Sequence, residues 1–407
     1  MTRYDRSPWV DTFPASRVPS HPRYKGAAQT GVVVVGAGLT GCLTAYALAS
    51  AGVKVMVLEA DRVGRGATAL ASGWISEDPN VPFHDVGKAI GVRSARRAWQ
   101  AWRRAALDFS ALLRRLDVKC HLDERGSVTV ASTPDQATRL QKELKARKSA
   151  GLDASMVAAR AIRSELALDA AAGLRARAGG TIDPYRAALG IAAAAADRGA
   201  QFFERSIVQK LTFTRKTLDV IADGGMIRAE RVVIATGLPR ALFKALARHF
   251  WFHTSYLALT DPIPAKIRHA LGFDASRAVV RDSTDPPHTI RWVDGARMLV
   301  SGADSEMVAP RQRDKAIVQR TGQLMYELST MYPEMSGIQP AYGWAADYAR
   351  TVDGLPFIGS HRNYPFHLFA FGDSSHSVTG SYLASRIILR QYSGEMDPAD
   401  AAFGFHR

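Results

Sequence analysis

Residues 32–59 read VVVVGAGLTGCLTAYALASAGVKVMVLE, and this stretch decides the fold. Val32 to Val35 run without a polar interruption, the pattern of a strand buried on both faces in a parallel sheet. Gly36-Ala37-Gly38-Leu39-Thr40-Gly41 follows at once. Leu39, Leu43, Tyr46, Ala47 and Ser50 then fall on one side of a helix, and Gly52 is placed to stop it. A second strand, Val53 to Leu58, ends on Glu59. Strand, G-x-G-x-x-G, helix, strand and acid within about 30 residues form a dinucleotide-binding pattern. Gly36 permits the tight turn, Gly38 lets the backbone approach a pyrophosphate, and Gly41 lets the helix pack on the sheet. The free N–H groups and partial positive charge of the helix start favour phosphate. Glu59 suits the hydroxyls of an adenosine ribose and would repel a 2′-phosphate, which argues against NADP.

Working outward, the chain has 407 residues, 47% of them apolar, enough for one large or several interleaved domains. Its formal net charge is +15, from 53 basic against 38 acidic residues. The basic residues are scattered, as in Arg93, Arg96, Arg97, Arg103, Arg104, Arg114 and Arg115, and no nucleic-acid-binding motif accompanies them. They read as an arginine-rich surface, not a nucleic-acid site. Cys42 and Cys120 have neither metal-ligand spacing nor the numbers for a disulfide framework, which points to a reducing compartment. No signal-peptide core and no run of 18 apolar residues is present, so the expectation is a cytoplasmic protein without a membrane span.

The expected fold class is α/β: a Rossmann-like parallel sheet with a β-meander, plus an inserted antiparallel α+β substrate domain. Residues 1–30, with Trp9, Phe13, Pro14, Pro19, Pro22 and Tyr24, read as an extended arm. Residues 31–90, 160–245 and 346–395 are assigned to the dinucleotide domain, 91–159 and 246–345 to the cap, and 396–407 to a tail. Helices are expected over 91–116, 134–149 (charged and exposed), 158–168 and from Pro184 to Arg198, the last capped by Asp183. A strand over 202–208 and a meander turning at Asp223-Gly224-Gly225 lead to the buried strand Val232 to Ala235, closed by Thr236-Gly237. Strands are expected over 254–260, 278–281, 289–293 and 298–301, with a hairpin at Asp294-Gly295 and a helix over 313–331. A strand over 367–371, a small-residue loop and a helix from Ser381 recur near the end, so one ligand is expected to be met by distant parts of the chain.

These motifs together resemble the D-amino-acid oxidase-like family of FAD-dependent oxidoreductases. The resemblance rests on Gly36 to Gly41, Glu59, Gly66-Ala67-Thr68, Ala235-Thr236-Gly237, Asp353-Gly354-Leu355-Pro356 with Gly359, and the loop Gly372 to Thr379. Within the family it is strongest to the γ-glutamylputrescine oxidase-like branch, through the aromatic arm, Ser255-Tyr256 with Thr260-Asp261-Pro262, and Tyr342-x-Trp344. The resemblance implies FAD bound in extended form. It places the pyrophosphate at Gly36, Gly38, Leu39, Thr40 and Gly41, the ribose at Glu59, the adenine beside Val208, and Thr236 and Gly237 at the site's edge. It places the flavin between Gly66, Ala67, Thr68, Ser72 and Gly73 on one side and Gly372, Asp373, His376, Val378 and Thr379 on the other. The expected activity is oxidation of a C–N bond of an amine or amino acid by hydride transfer to flavin, with oxygen or another carrier as electron acceptor.

Two departures stand out. Family members carry G-A-S-G-R-N-G-G where this chain reads Gly66-Ala67-Thr68-Ala69-Leu70-Ala71-Ser72-Gly73, and the G-x-x-G-H-G loop keeps His376 among Ser374, Ser375 and Ser377. The arginine that grips a substrate carboxylate falls near Tyr348, which favours an amine over a clamped α-amino acid. Candidate catalytic residues are His376, Tyr256, Asp347 and Arg291, with His253 also considered; Asp347 is a partner for a cationic amine and Arg291 for an acidic tail. The altered loops also leave open a flavin-binding protein without turnover.

Overall fold

Apolar strands and the lengths between them sort the chain into two large sheets. The structure is a computed structural model describing residues 1–214, 217–239, 241–372 and 377–407. Among these residues, the first sheet runs in the order Val208–Phe213, Leu218–Ala222, Gly225–Gly237, Gly26–Val35, Val55–Leu58, Gln201–Phe203. Tyr364–Phe371 pairs parallel with Gly225–Gly237, and Phe357–His361 antiparallel with Tyr364–Phe371. The core strands are parallel and buried on both faces, as the valine run requires. The helix Leu39–Ser50 covers one face together with Pro184–Ala196 and Thr379–Ser393.

Gly225–Gly237 is one long strand where the sequence reads two. It closes the meander through Gly225 to Ala229, then continues into the parallel core. The strand expected over 202–208 is interrupted after Phe203, because the chain turns to bond the edge of the neighbouring strand: Glu59 N–H donates to the Phe203 carbonyl at 2.9 Å and Ser206 N–H to the Glu59 carbonyl at 2.8 Å.

Among the described residues the second sheet has nine strands, in the order Arg3–Tyr4, Pro340–Arg350, Trp251–Thr260, Arg297–Glu306, Thr289–Val293, Val279–Asp282, Ser127–Ala131, Ala172–Ala176, Ser155–Ala158. Its membership departs from the segments drawn on the sequence. Pro340–Arg350 crosses the 345/346 boundary, Ala172–Ala176 joins this sheet from within 160–245, and the arm contributes an edge strand. Pro340–Arg350 lacks any β-branched residue and is rich in alanine, so only Tyr342, Trp344 and Tyr348 favour a strand there. The arm also folds a short helix, Pro8–Asp11, with proline in its first turn. The helix Pro134–Ser149 is capped by Thr133 and Gln136, and is not exposed throughout: Leu140 and Glu143 are buried.

Strand alternation gives this sheet two unlike faces. Leu257, Leu259, Leu299, Tyr342 and Trp344 join the core shared with the parallel-sheet unit. Tyr256, Ala258, Met298, Val300 and Ala345 join the core beneath the helix Arg313–Met331.

On that helix side His288 sits between two carboxylates, Asp282 Oδ2 at 2.7 Å and Glu327 Oε2 at 2.8 Å. Burial opposes the imidazolium, but the hydrogen bonds and charges of Asp282 and Glu327 outweigh it and raise the His288 pKa. A raised folded-state pKa contributes stability that is full below the unfolded value, about 6.5, and is lost as pH rises through the folded value. His367 contributes the opposite slope, since burial pushes it down to about 4. The melting temperature of His288→Gln is therefore expected to fall furthest below wild type at acid pH, the gap narrowing as pH rises above neutrality. A gap independent of pH contradicts the assignment.

Candidate active site

In an open parallel sheet, ligands bind at the carboxyl ends of the strands. Here four such ends meet: Gly36 follows Val35, Glu59 follows Leu58, Gly237 ends its strand, and Gly372 follows Phe371. Gly372 N–H donates to the Gly237 carbonyl at 3.3 Å. Gly36 has φ +101°, and a Cβ there would lie 2.8 Å from the Ala235 carbonyl oxygen. Around Gly38 the only atom of the described residues near a Cβ position is Thr68 Oγ1, at 3.0 Å, which leaves its backbone surface open.

The helix Leu39–Ser50 starts without a side-chain cap from its own N-cap residue, Gly38. Ala37 N–H donates to Glu59 Oε2 at 2.7 Å and Leu39 N–H to Thr68 Oγ1 at 2.8 Å. The N–H groups of Gly38 and Thr40 have no protein acceptor among the described residues. A glycine surface with free N–H groups at an uncapped helix start is a cradle that fits a pyrophosphate. Glu59 Oε1 accepts from Asp61 N–H at 2.9 Å, so each carboxylate oxygen keeps a lone pair for a ribose hydroxyl. Ser206, bonded to the Glu59 carbonyl, lies two residues before Val208, the first residue of the strand Val208–Phe213. Thr236 Oγ1 donates to the Leu238 carbonyl at 2.9 Å, and Gly237, at φ +70°, has no atom of the described residues within 4 Å of its Cβ position.

Gly66 precedes the short helix Ala67–Leu70, and Ser72 is buried. Gly73 must be glycine: its φ is +74° and a Cβ would lie 2.2 Å from the Ile182 carbonyl oxygen. Three consecutive carbonyls of this loop are held from outside. Ala69 O accepts from Ser7 Oγ, Leu70 O from Trp344 Nε1 at 3.0 Å, and Ala71 O from Trp9 Nε1 at 3.0 Å. The arm thus fastens the loop that lacks arginine and asparagine. Sequence reasoning missed this role, although the arm's aromatics were its signal.

At the other end Val378 N–H donates to the Trp74 carbonyl at 2.8 Å, Ser76 Oγ to Ser377 Oγ at 2.7 Å, and Thr379 Oγ1 to the Ser76 carbonyl at 2.9 Å. Thr40 Oγ1 donates to Ser381 Oγ at 2.8 Å, joining the first turns of the two helices that face the crevice. Asp373 and His376 lie outside the described residues.

The nine-stranded sheet forms the facing wall. Its polar end carries His253 stacked on Tyr348 (centroids 5.7 Å apart, planes at 28°), and Tyr348 Oη donates to Asp304 Oδ2 at 2.6 Å. A Cβ on Gly372 would lie 3.3 Å from Thr351 Cγ2 and 3.6 Å from the Ala349 carbonyl oxygen, so this end of the strand abuts the late loop.

Of the expected catalytic residues, two point away from the crevice. Tyr256 packs on the helix side with Arg320 5.9 Å from its ring centroid. Asp347 accepts from Thr254 Oγ1 at 2.7 Å and pairs with Arg313 Nη1 at 3.0 Å, anchoring the start of Arg313–Met331. The cause is strand periodicity, since both share a face with Ala258 or Ala345. Arg291 faces the crevice side but is sealed: its guanidinium lies 5.1 Å from the Trp9 ring centroid and Nη2 donates to the Ile182 carbonyl at 3.0 Å. Burial pushes its pKa down to about 10, with Asp183 opposing.

Most of the chain matches known proteins. The family model for FAD dependent oxidoreductases, DAO, matches residues 31–391. The chain is 25% identical over 373 residues to gamma-glutamylputrescine oxidoreductase of Escherichia coli, covering 91% of this chain and 85% of that protein. It is 24% identical over 379 residues to the probable oxidoreductase OrdL of Haemophilus influenzae, covering 89% and 83%. Its fold superposes on glycine oxidase from Geobacillus kaustophilus with a TM-score of 0.75 at 20% identity, over 93% of this chain and 99% of that one.

Proposed function

The chain belongs to the DAO family of FAD-dependent oxidoreductases, and from that premise we propose that it oxidises a C–N bond of an amine or amino acid. The observation that carries this reading is the meeting of four strand ends and two joined helix starts at one crevice, roofed by the nine-stranded sheet. Glycine oxidases and a gamma-glutamylputrescine oxidoreductase among the similar proteins support the substrate class.

Bound FAD would supply the hydride acceptor. Gly38, Leu39, Thr40 and Gly41 would hold its pyrophosphate, Glu59 its ribose, Val208, Thr236 and Gly237 its adenosine end, and Gly66 to Gly73 with Gly372, Val378 and Thr379 its ring. The start of Thr379–Ser393 is a fixed positive end in the crevice, suited to stabilise negative charge there. Trp344 and Leu257 make one end of the wall dry. A dry wall favours the neutral amine, the form able to lose a hydride, by penalising the ammonium. Tyr348 and His253 offer polar atoms that orient that amine beside the late loop. The buried thiols Cys42 and Cys120 are held protonated by burial, the latter pushed up to about 12, and take no part. We assign the protein to the cytoplasm on these unpaired cysteines; no helix among the described residues is long and apolar enough to cross a membrane.

Anaerobic mixing with a panel of amines and amino acids is expected to bleach the flavin absorbance. A flavin-loaded protein that no amine or amino acid reduces overturns the reading and favours flavin binding without turnover. Trp9→Ala strips the donor from the Ala71 carbonyl, and an unsatisfied buried carbonyl costs about 1–3 kcal/mol. The variant is expected to bind FAD about tenfold or more weakly while keeping its far-UV circular dichroism. Unchanged FAD affinity contradicts the arm's role.

A further inference from the structure

Arg281 is a charged residue inside a largely buried strand. Its strand, Val279–Asp282, lies inside the nine-stranded sheet, between Thr289–Val293 and Ser127–Ala131. Val280 packs in the core beneath Arg313–Met331, and Asp282 bonds His288, which reaches Glu327 on that helix. Alternation therefore turns Arg281 to the opposite, crevice-facing side. Its cross-strand partner there is Thr289, which in turn pairs with Ser301.

Among the described residues the Arg281 guanidinium makes no hydrogen bond and no ion pair. The carboxylates within electrostatic reach are Asp78, Asp282 and Asp304, and each is engaged elsewhere. Asp78 pairs with Arg147 at 2.8 Å, Asp282 with His288 at 2.7 Å, and Asp304 accepts from Tyr348 at 2.6 Å. Burial lowers the Arg281 pKa, yet part of its side chain remains open. Asp78, one of these carboxylates, lies two residues beyond Ser76, which bonds Ser377 and Thr379 at the start of the late helix.

We propose that Arg281 forms an anion-binding subsite on the crevice wall, and that the substrate is an amine bearing a carboxylate far from the C–N bond that reacts. This rests on the reading of the protein as an amine oxidoreductase. The planar fork of a guanidinium matches a carboxylate bidentately. A buried arginine left unpaired is costly, and a ligand carboxylate completes it. A monoanion suits the place better than phosphate, because three carboxylates stand within electrostatic reach against one further cation, Arg147. The separation follows from the sheet. Two strand spacings, roughly 10 Å, lie between the strand of Arg281 and that of Asp304, whose side chain meets Tyr348. A carboxylate held by Arg281 is thus at the far end of an extended substrate. Tyr348 stands where an α-carboxylate clamp is expected, and Arg281 supplies the charge from another strand.

The test is anaerobic titration calorimetry of the FAD holoenzyme with 6-aminohexanoate, 6-aminohexanamide and 4-aminobutyrate, for wild type, Arg281→Met and Arg281→Lys. Wild type is expected to bind 6-aminohexanoate about 10- to 100-fold more tightly than its amide, the range for one charge-assisted pair, and more tightly than the shorter 4-aminobutyrate. Arg281→Met should erase the preference at unchanged FAD content, and Arg281→Lys should keep part of it. Equal binding of acid and amide, a preference that survives in Arg281→Met, or no binding of either carboxylate overturns the subsite. Binding is read without turnover. An Arg281-dependent preference in a protein whose flavin no amine reduces leaves the subsite standing and removes the amine-oxidation reading alone.

Discussion

Gly41→Ala is expected to emerge from flavin-replete cells with its FAD affinity reduced about 100-fold or more. A Cβ at this position would lie 1.8 Å from the Gly36 carbonyl oxygen, a backbone atom fixed by the turn. No side-chain rotation relieves that overlap, so the start of the helix Leu39–Ser50 has to withdraw by about an ångström from the strand it follows. The same withdrawal moves the N–H groups of Gly38 and Thr40 and breaks the fit of Thr40 to Ser381. Each lost hydrogen bond from a backbone N–H to a charged phosphate costs about 1.5–3 kcal/mol, or about 10- to 100-fold in affinity. Gly322→Ala is the matched control: it lies within the helix Arg313–Met331, no atom of the described residues outside that helix's backbone is within 4 Å of its Cβ position, and alanine there is expected to be neutral or stabilising by up to about 1 kcal/mol. Flavin content per chain and far-UV circular dichroism separate the outcomes. A Gly41→Ala protein with full flavin content shows that helix and strand are not packed as described.

Arg147→Met is expected to destabilise the protein by about 3–5 kcal/mol, the cost of leaving buried charge uncompensated. Arg147 reaches Asp78 Oδ2 at 2.8 Å and Glu143 Oε1 at 2.6 Å, and its side chain is 13% exposed. Glu143 also accepts from Phe83 N–H at 2.9 Å and His84 N–H at 3.3 Å. The cluster therefore ties the helix Pro134–Ser149 to the segment that continues from Ser76 toward the crevice. Chemical denaturation measures the loss. The double variant Arg147→Met with Glu143→Leu should recover part of it, because fewer buried carboxylates then lack a counter-charge. A change under about 1 kcal/mol, the usual worth of a surface pair, contradicts the burial of this cluster.

How much could be read beforehand depended on how far apart the interacting residues lie in the chain. Val32 to Glu59 carries its meaning locally: spacing, glycines and the terminal acid sit within one strand-helix-strand unit, and the structure forms it there. The helices with local caps, at Thr133 and Asp183, also began where expected. The second sheet is different. Its order joins the arm, residues 127–176 and residues 251–350, and no local pattern encodes which of these become neighbours. Tyr256 and Asp347 looked like site residues because they sit on strands near the right motifs. Only the face of the sheet that each strand presents decides the matter, and pairing sets that. Arg281, in Val279-Val280-Arg281-Asp282, did carry a signal, a charge inside a buried strand, but its crevice-facing direction becomes visible only with Val280 and Asp282 placed beneath the helix. The arm's grip on Ala69 and Ala71 spans 62 residues of sequence and is in the same position.

The most direct test is the FAD content of the purified protein. Heat-released cofactor from protein made in flavin-replete cells should be FAD, at about one molecule per chain, and Glu59→Ala with Gly38→Val should lower that ratio steeply. A folded wild-type protein that carries no FAD and takes up none on incubation contradicts the account at its centre.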